Sequence, residues 1–219
     1  MHYPDVDPTQ IQWRICSYLE VWDELRAHSY GGRPLVVGID GHSGSGKTTL
    51  ATGLAALDRG TAVVHTDDLA WHHSFSGWGD LLIDHLLTPL HEDRPIRYRP
   101  PAWVQRDRPG AITIPEGTSA VLVEGVGVAR REARPWLDAV VWVHVRAEVG
   151  RRRLIAKGVD TEDCINDWMN EENDFLAEHR PWDIADVVVA GELGQPALTG
   201  RYGNVVTATG PVQVTKRLS

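Results

Sequence analysis

Leu35-Val36-Val37-Gly38-Ile39-Asp40-Gly41-His42-Ser43-Gly44-Ser45-Gly46-Lys47-Thr48-Thr49-Leu50 runs from an apolar β-type segment through a glycine-rich turn into a helical pattern. The turn from Gly41 to Thr48 has the spacing Gly-x-x-x-x-Gly-Lys-Ser/Thr, and it lies in the strand–loop–helix context that this spacing requires. It reads as a phosphate-binding P-loop. Its glycines allow successive backbone N–H groups to turn onto an anion, and the helix starting near Lys47 adds the positive end of its dipole. Gly41, Ser43, Gly44, Ser45, Gly46, Lys47, Thr48 and Thr49 are therefore the nucleotide-binding candidates. Lys47 is placed to reach the outer phosphates and the Thr48 hydroxyl to take a position on Mg²⁺.

Outward from this loop the chain alternates strand and helix. Thr61–His65 is a second short strand, ending in Thr66-Asp67-Asp68. Ser119–Val123 is a third, ending in Glu124-Gly125; Ala139–Val145 is a fourth and Ala185–Ala190 a fifth. Such alternation predicts a parallel sheet with right-handed crossovers and a site at the carboxyl ends of the strands. The expected fold is thus α/β, a P-loop NTPase fold with a five-stranded parallel sheet and helices on both faces. One domain spans 1–219, with an N-terminal helix within 1–33 (Pro8 to His28, capped by Asp7) and a substrate cap over 71–110. A lid over 147–160 and a small C-terminal hairpin over 197–219 complete it. Pro95, Pro100, Pro101 and Pro109 exclude a long helix in the cap, and Ile112 with Ile114 suggests a short edge strand.

At 219 residues the chain can bury a substantial core as one domain. The 30 acidic against 22 basic residues give a net charge of -8 without a long basic run, which argues against sequence-independent nucleic-acid binding. Cys16 and Cys164 show no C-x-x-C spacing, which fits a reducing cytoplasm. The opening Met1-His2-Tyr3-Pro4-Asp5-Val6-Asp7 is not a signal peptide, and no apolar run nears the roughly 18 residues of a membrane span. The expectation is a cytoplasmic protein whose partner is a small-molecule acceptor, with no nucleic acid or membrane; self-association into a homo-oligomer is compatible with the sequence.

Phosphoryl transfer needs a second anchor near Mg²⁺ and a carboxylate near the acceptor hydroxyl. Glu124, at the end of an apolar strand beside the loop, is the expected metal-side residue. Asp67 is the expected base, with Asp68 supporting it or touching metal-bound water. Arg146, Arg151, Arg152, Arg153 and Lys157 crowd one segment, where arginine forks suit the spread charge of a transferring phosphoryl group; Arg151 and Arg153 are the catalytic candidates. Trp71, Trp78 and Trp103, in irregular segments after the second strand, can wall a pocket for a ring-shaped substrate, aromatic core packing being the alternative. His65, His72, His73, His85 and His91 match no metal-ligand spacing and are read as core or loop residues.

The order of the P-loop, then Thr66-Asp67-Asp68-Leu69, then Val123-Glu124-Gly125, then Arg151 to Lys157, resembles the uridine kinase branch of P-loop kinases. Pantothenate kinase and phosphoribulokinase share much of its architecture, and the likeness is compatible with an actinobacterial-type group of uridine kinase-like proteins. The resemblance covers about Pro34 to Gly191. It implies ATP- and Mg²⁺-dependent phosphorylation of a small-molecule hydroxyl, with Asp67 as base, Glu124 on the metal side and Arg151 to Arg153 in the lid. Where uridine kinases carry a Tyr-Asp pair and a following His, this chain reads Tyr98-Arg99-Pro100-Pro101-Ala102-Trp103-Val104-Gln105-Arg106. Neither Pro101 nor Ala102 has a hydrogen-bonding side chain, and Tyr98 can substitute only with a shift of register. A nucleoside kinase is the leading expectation; a kinase of another small metabolite and a regulatory ATPase are the alternatives. No Asn-Lys-x-Asp guanine motif and no Ser-Gly-Gly transporter signature occurs.

Overall fold

A strand covered on both faces by helices has no solvent side to keep polar, so it reads as an unbroken apolar run. Leu35–Gly41 meets that description, since every one of its residues is buried. In the computed structural model, which describes residues 14–191 and 204–208, the strands in chain order are β1 (Arg14–Ser17), β2 (Leu35–Gly41), β3 (Thr61–His65), β4 (Ile96–Tyr98), β5 (Ile112–Ile114), β6 (Ala120–Glu124), β7 (Ala139–His144), β8 (Val187–Ala190) and β9 (Asn204–Ala208). The helices are α1 (Tyr18–Arg26), α2 (Lys47–Ala55), α3 (Thr66–Ala70), α4 (Gly79–Leu82), α5 (Thr88–His91), α6 (Pro101–Gln105), α7 (Ala147–Lys157) and α8 (Glu162–His179).

The five expected strands form a parallel sheet in the order β3-β6-β2-β7-β8, with the P-loop strand in the middle. β9 extends it antiparallel to β8, and β1 pairs antiparallel with β9. Successive residues of the strands face opposite sides. Val37, Ile39, Leu122, Val141 and Val143 pack with Trp22 and Leu25 of α1 and Leu50 and Leu54 of α2. On the other side Val36, Val121 and Val123 meet Leu69 of α3 and Trp78, Leu82, Leu86 and Trp103 of the segment 71–110. Val140, Trp142 and Val188 meet Phe175 and Leu176 of α8.

Two expectations change in detail. The first helix does not run from Pro8: residues 14–17 are a strand, and α1 starts after Ser17. Ser17 closes a capping box, its hydroxyl accepting from Glu20 N–H while its own N–H donates to the Glu20 carboxylate. Ile112–Ile114 does not border the main sheet but pairs with β4 in a separate two-stranded sheet. The helical run after Gly79 contains a π-helical segment, Ile83–Leu87. Pro89 follows it, lacking an N–H and crowding the carbonyl four residues back, which favours a widened turn there. Residues 8–13 of the expected first helix lie outside the described residues. So does most of the C-terminal hairpin, of which β9 is the described part. Among the described residues no helix is long and apolar enough to cross a membrane.

Ser17→Ala removes the side-chain half of the capping box and is expected to lower stability by about 1 kcal/mol. Urea denaturation followed by tryptophan fluorescence measures this, and an unchanged midpoint would show that α1 does not depend on its cap.

Candidate active site

The loop between β2 and α2 is held from behind by side chains that take up its backbone groups. Asp40, fully buried at the end of the strand's apolar run, accepts from Gly41 N–H at 2.8 Å, and from Gly127 and Ala129 N–H at 2.9 Å each. Burial pushes its pKa up, against the pull of those three donors and of Lys47. From α8, the equally buried Glu172 accepts from His42 Nδ1 at 2.8 Å and from Ser43 N–H at 3.0 Å. Burial alone would raise its pKa, but the bond and charge of His42, then Lys47 and Ser43, outweigh it and hold the carboxyl below the usual glutamate range. One turn earlier on α8, Trp168 Nε1 donates to Ser43 Oγ at 3.1 Å. On the far side α7 lies against the loop: a Cβ on Gly44, at φ +76°, would stand 2.6 Å from the Gly150 carbonyl.

Lys47 is nearly buried and folds across the loop, donating to the carbonyls of Gly41 at 2.8 Å and His42 at 3.0 Å. Thr48 Oγ1 donates to Glu124 Oε1 at 2.9 Å. The candidate Mg²⁺ hydroxyl and the candidate metal-side carboxylate, 76 residues apart, thus meet at the carboxyl ends of β2 and β6. His65 also reaches Glu124 Oε1, with its Nδ1 at 2.5 Å. These are hard oxygen donors beside a phosphate-binding loop, the donor chemistry Mg²⁺ takes together with nucleotide phosphates. Among the described residues no group of three or more His, Cys, Asp or Glu offers a metal site of its own. Gly125, at φ +152°, lets the chain leave this strand end against Thr66, whose hydroxyl stands where a Cβ would be.

The acceptor-side candidates separate into two groups. Asp67, in the first turn of α3, is exposed and makes no hydrogen bond or ion pair among the described residues. Asp68 beside it is taken up by the cap: Arg108 Nη2 donates to its carboxylate at 2.6 Å and Trp103 Nε1 to its carbonyl at 2.9 Å. The Arg108 guanidinium lies 3.7 Å from the ring centre of Trp103 and 5.1 Å from that of Trp71. Asp68, Trp71 and Trp103 are therefore one cluster, organised by a residue the sequence reading did not single out. Tyr98 stands apart on β4, stacked on His85 at 4.2 Å. Its hydroxyl is buried with no hydrogen-bond partner among the described residues, and burial raises its pKa.

Arg151 and Arg153 of α7 are engaged with protein groups. Arg151 joins α7 to α8 through Asn166 at 2.9 Å and Glu162 at 2.7 Å. Arg153 donates to the carbonyls of Gly44 and Gly191, both at 2.9 Å, and so braces the loop itself. Thr49 follows Thr48 in the first turn of α2 and is exposed. Arg130, 4% exposed, donates to the carbonyls of Gly127 and Ser76 and lies 3.9 Å from the ring centre of Trp78, linking the segment after β6 to the cap. Sequence reasoning did not identify Asp40, Glu172, Arg108 or Arg130. Asp40 could have been found as the acid before the loop; the other three carry no local signal.

No family model matches the chain, and no curated protein sequence matches it. Solved structures do. A protein described as a possible uridine kinase from Bacillus stearothermophilus aligns over 77% of this chain and 98% of its own, at 24% identity and a TM-score of 0.51. A protein assigned as a fructose transport system kinase from Silicibacter sp. TM1040 aligns over 78% of this chain and 95% of its own, at 17% identity and a TM-score of 0.54. The chain shares the α/β fold of these two structures.

The Glu172 carboxyl gives a signed pH dependence. Its folded-state pKa lies below the reference value of 4.5, so its stabilisation is present above that value and is lost as pH falls through the folded-state pKa. Glu172→Gln is expected to be less stable near neutrality and to lose less further stability on acidification than the parent. Thermal unfolding followed from about pH 7 down to about pH 3 measures the difference, and parallel losses over that range would remove Glu172 from the acid limb.

Proposed function

We propose that this chain is an ATP- and Mg²⁺-dependent phosphotransferase acting on a hydroxyl of a small molecule. The observation that carries the reading is the meeting of Thr48 and Glu124 beside the Lys47 loop, with the exposed Asp67 two residues beyond the end of β3, the next strand. The P-loop kinase fold of the similar structures supports it. In this reading the loop backbone and Lys47 bind the phosphates of ATP, and Lys47 leaves the Gly41 and His42 carbonyls to do so. Thr48 and Glu124 hold Mg²⁺, which neutralises charge on the phosphates when bound. Asp67 orients the acceptor hydroxyl and takes its proton as the phosphoryl group leaves. The α8 contacts keep the loop in position, and the cap from Trp71 to Gly110 shapes the acceptor site.

For the acceptor, a nucleoside follows from the resemblance to uridine kinases. One observation favours a non-nucleoside metabolite instead: Arg108 already covers the Trp103 face on which a base would stack, while Pro101 and Ala102 offer no side-chain hydrogen bond. ADP release from Mg-ATP, with and without uridine, cytidine, pantothenate and simple sugars, separates these. Stimulation by uridine or cytidine supports the nucleoside kinase, and stimulation by another compound supports the second reading. A Lys47-dependent basal rate that no acceptor raises would instead indicate a regulatory ATPase.

Lys47→Ala should abolish turnover. Asp67→Asn should retain ATP binding, measured by calorimetry, and lower kcat by about 10²–10⁴-fold; unimpaired transfer would exclude Asp67 as the base.

A further inference from the structure

His65 occupies a place that the phosphotransfer reading does not use. It is the last residue of β3 and Glu124 the last of β6, and the parallel register sets the two opposite one another. Their side chains meet at 2.5 Å, with His65 Nδ1–H donating to Glu124 Oε1. Thr48 Oγ1 donates to the same oxygen at 2.9 Å, while Glu124 Oε2 receives no hydrogen bond among the described residues. The Glu124 side chain is 7% exposed and that of His65 44%, so the imidazole stands at the rim and the carboxylate beneath it.

We propose that His65 is the positioning residue of the metal-side carboxylate. The inference rests on the assignment of Thr48 and Glu124 to Mg²⁺. A threonine hydroxyl ligates a metal through a lone pair and can keep its proton on Oε1, so of the two donors to Oε1 one is committed to the metal and one is not. The uncommitted donor is His65. With Oε1 tied to the imidazole, the carboxylate keeps its rotamer and presents Oε2 to the metal's water shell. A carboxylate without the tie would search among rotamers, at a cost in metal affinity. The contact is not needed to join the strands, because β3 and β6 already share a ladder from Thr61 to His65. A structural tether and a positioning role therefore make different predictions.

The test uses His65→Phe, His65→Asn and His65→Gln in the full chain, read by calorimetry of ADP binding in EDTA and across a Mg²⁺ titration, with thermal unfolding of the ligand-free protein alongside. Asparagine carries an N–H donor close to the position of Nδ1; glutamine carries it one methylene further out. The expected result is unchanged ADP affinity in EDTA for all three. The Mg²⁺ concentration for half-maximal effect should rise roughly 10–100-fold in His65→Phe, the range typical of lost partners to metal-binding groups, and His65→Asn should recover most of that rise. An unchanged Mg²⁺ dependence in His65→Phe would overturn the proposal. So would His65→Asn as weak as the phenylalanine variant, or a loss that is equally present in EDTA. If His65→Phe does not fold, better Mg²⁺ coupling in Asn than in Gln supports the proposal and equal coupling overturns it. Glu124→Gln serves as the control: if it leaves the Mg²⁺ dependence intact, the metal-side assignment itself fails, and His65 with it.

Discussion

The Asp40 carboxylate fixes the glycine-rich loop at the centre of this protein. It belongs to the central strand, yet two of its three N–H donors, Gly127 and Ala129, belong to the segment that follows β6. One buried carboxylate thus locks the start of the P-loop to the exit of the neighbouring strand, a few residues from Glu124. An isolated carboxylate in a dry interior is costly, and burial does raise its pKa. Three backbone donors offset that cost, and they are groups that would otherwise be buried without partners. The geometry is self-consistent: the carboxylate needs the N–H groups as much as they need it.

A second carboxylate does the same from the opposite direction. Glu172 comes from α8 and takes the Ser43 N–H and the His42 ring, while Arg153 of α7 takes carbonyls of the same loop. The loop is therefore gripped through donors on one side and acceptors on the other. Trp168 adds a link to the cap, since its ring contacts Phe75 at 4.8 Å while its N–H bonds Ser43. Movement of α7 and α8 as a lid would draw on the same contacts that hold the phosphate loop. A rigid loop and a moving lid are in tension here, and the arginines that suit a lid are the ones bonded to protein.

The legibility of the chain follows from the range of each signal. The P-loop, the five parallel strands and the meeting of Thr48 with Glu124 were readable because strand–loop–helix spacing and strand ends are local, and the parallel sheet brings such ends to one edge. The strand at Arg14–Ser17 was not readable: its apolar residues also fit a helical period, and its pairing partner β9 lies 187 or more residues away. His65 was dismissed because a histidine in a strand has no ligand spacing to recognise. Its importance is a matter of register, which sets it opposite Glu124 and which the sequence does not display. Glu172 and Arg108 act across 130 and 40 residues, and nothing around either marks it out.

Asp67 and Asp68 illustrate how neighbours of one type acquire different surroundings. Both lie in the first turn of α3, and on sequence alone either suits the metal or the acceptor. Arg108 removes that symmetry. Held over the Trp103 ring, the guanidinium loses part of its freedom before it meets a carboxylate, so its pairing with Asp68 is pre-ordered. Asp68 also lends its carbonyl to Trp103, which fastens the cap to the end of β3 through two independent bonds. Asp67 is left exposed, without a hydrogen bond or ion pair among the described residues. Asp67 thus stays open to a group arriving from solvent, whereas Asp68 is already bonded by Arg108. The difference in surroundings between the two aspartates thus rests on a residue 40 positions downstream.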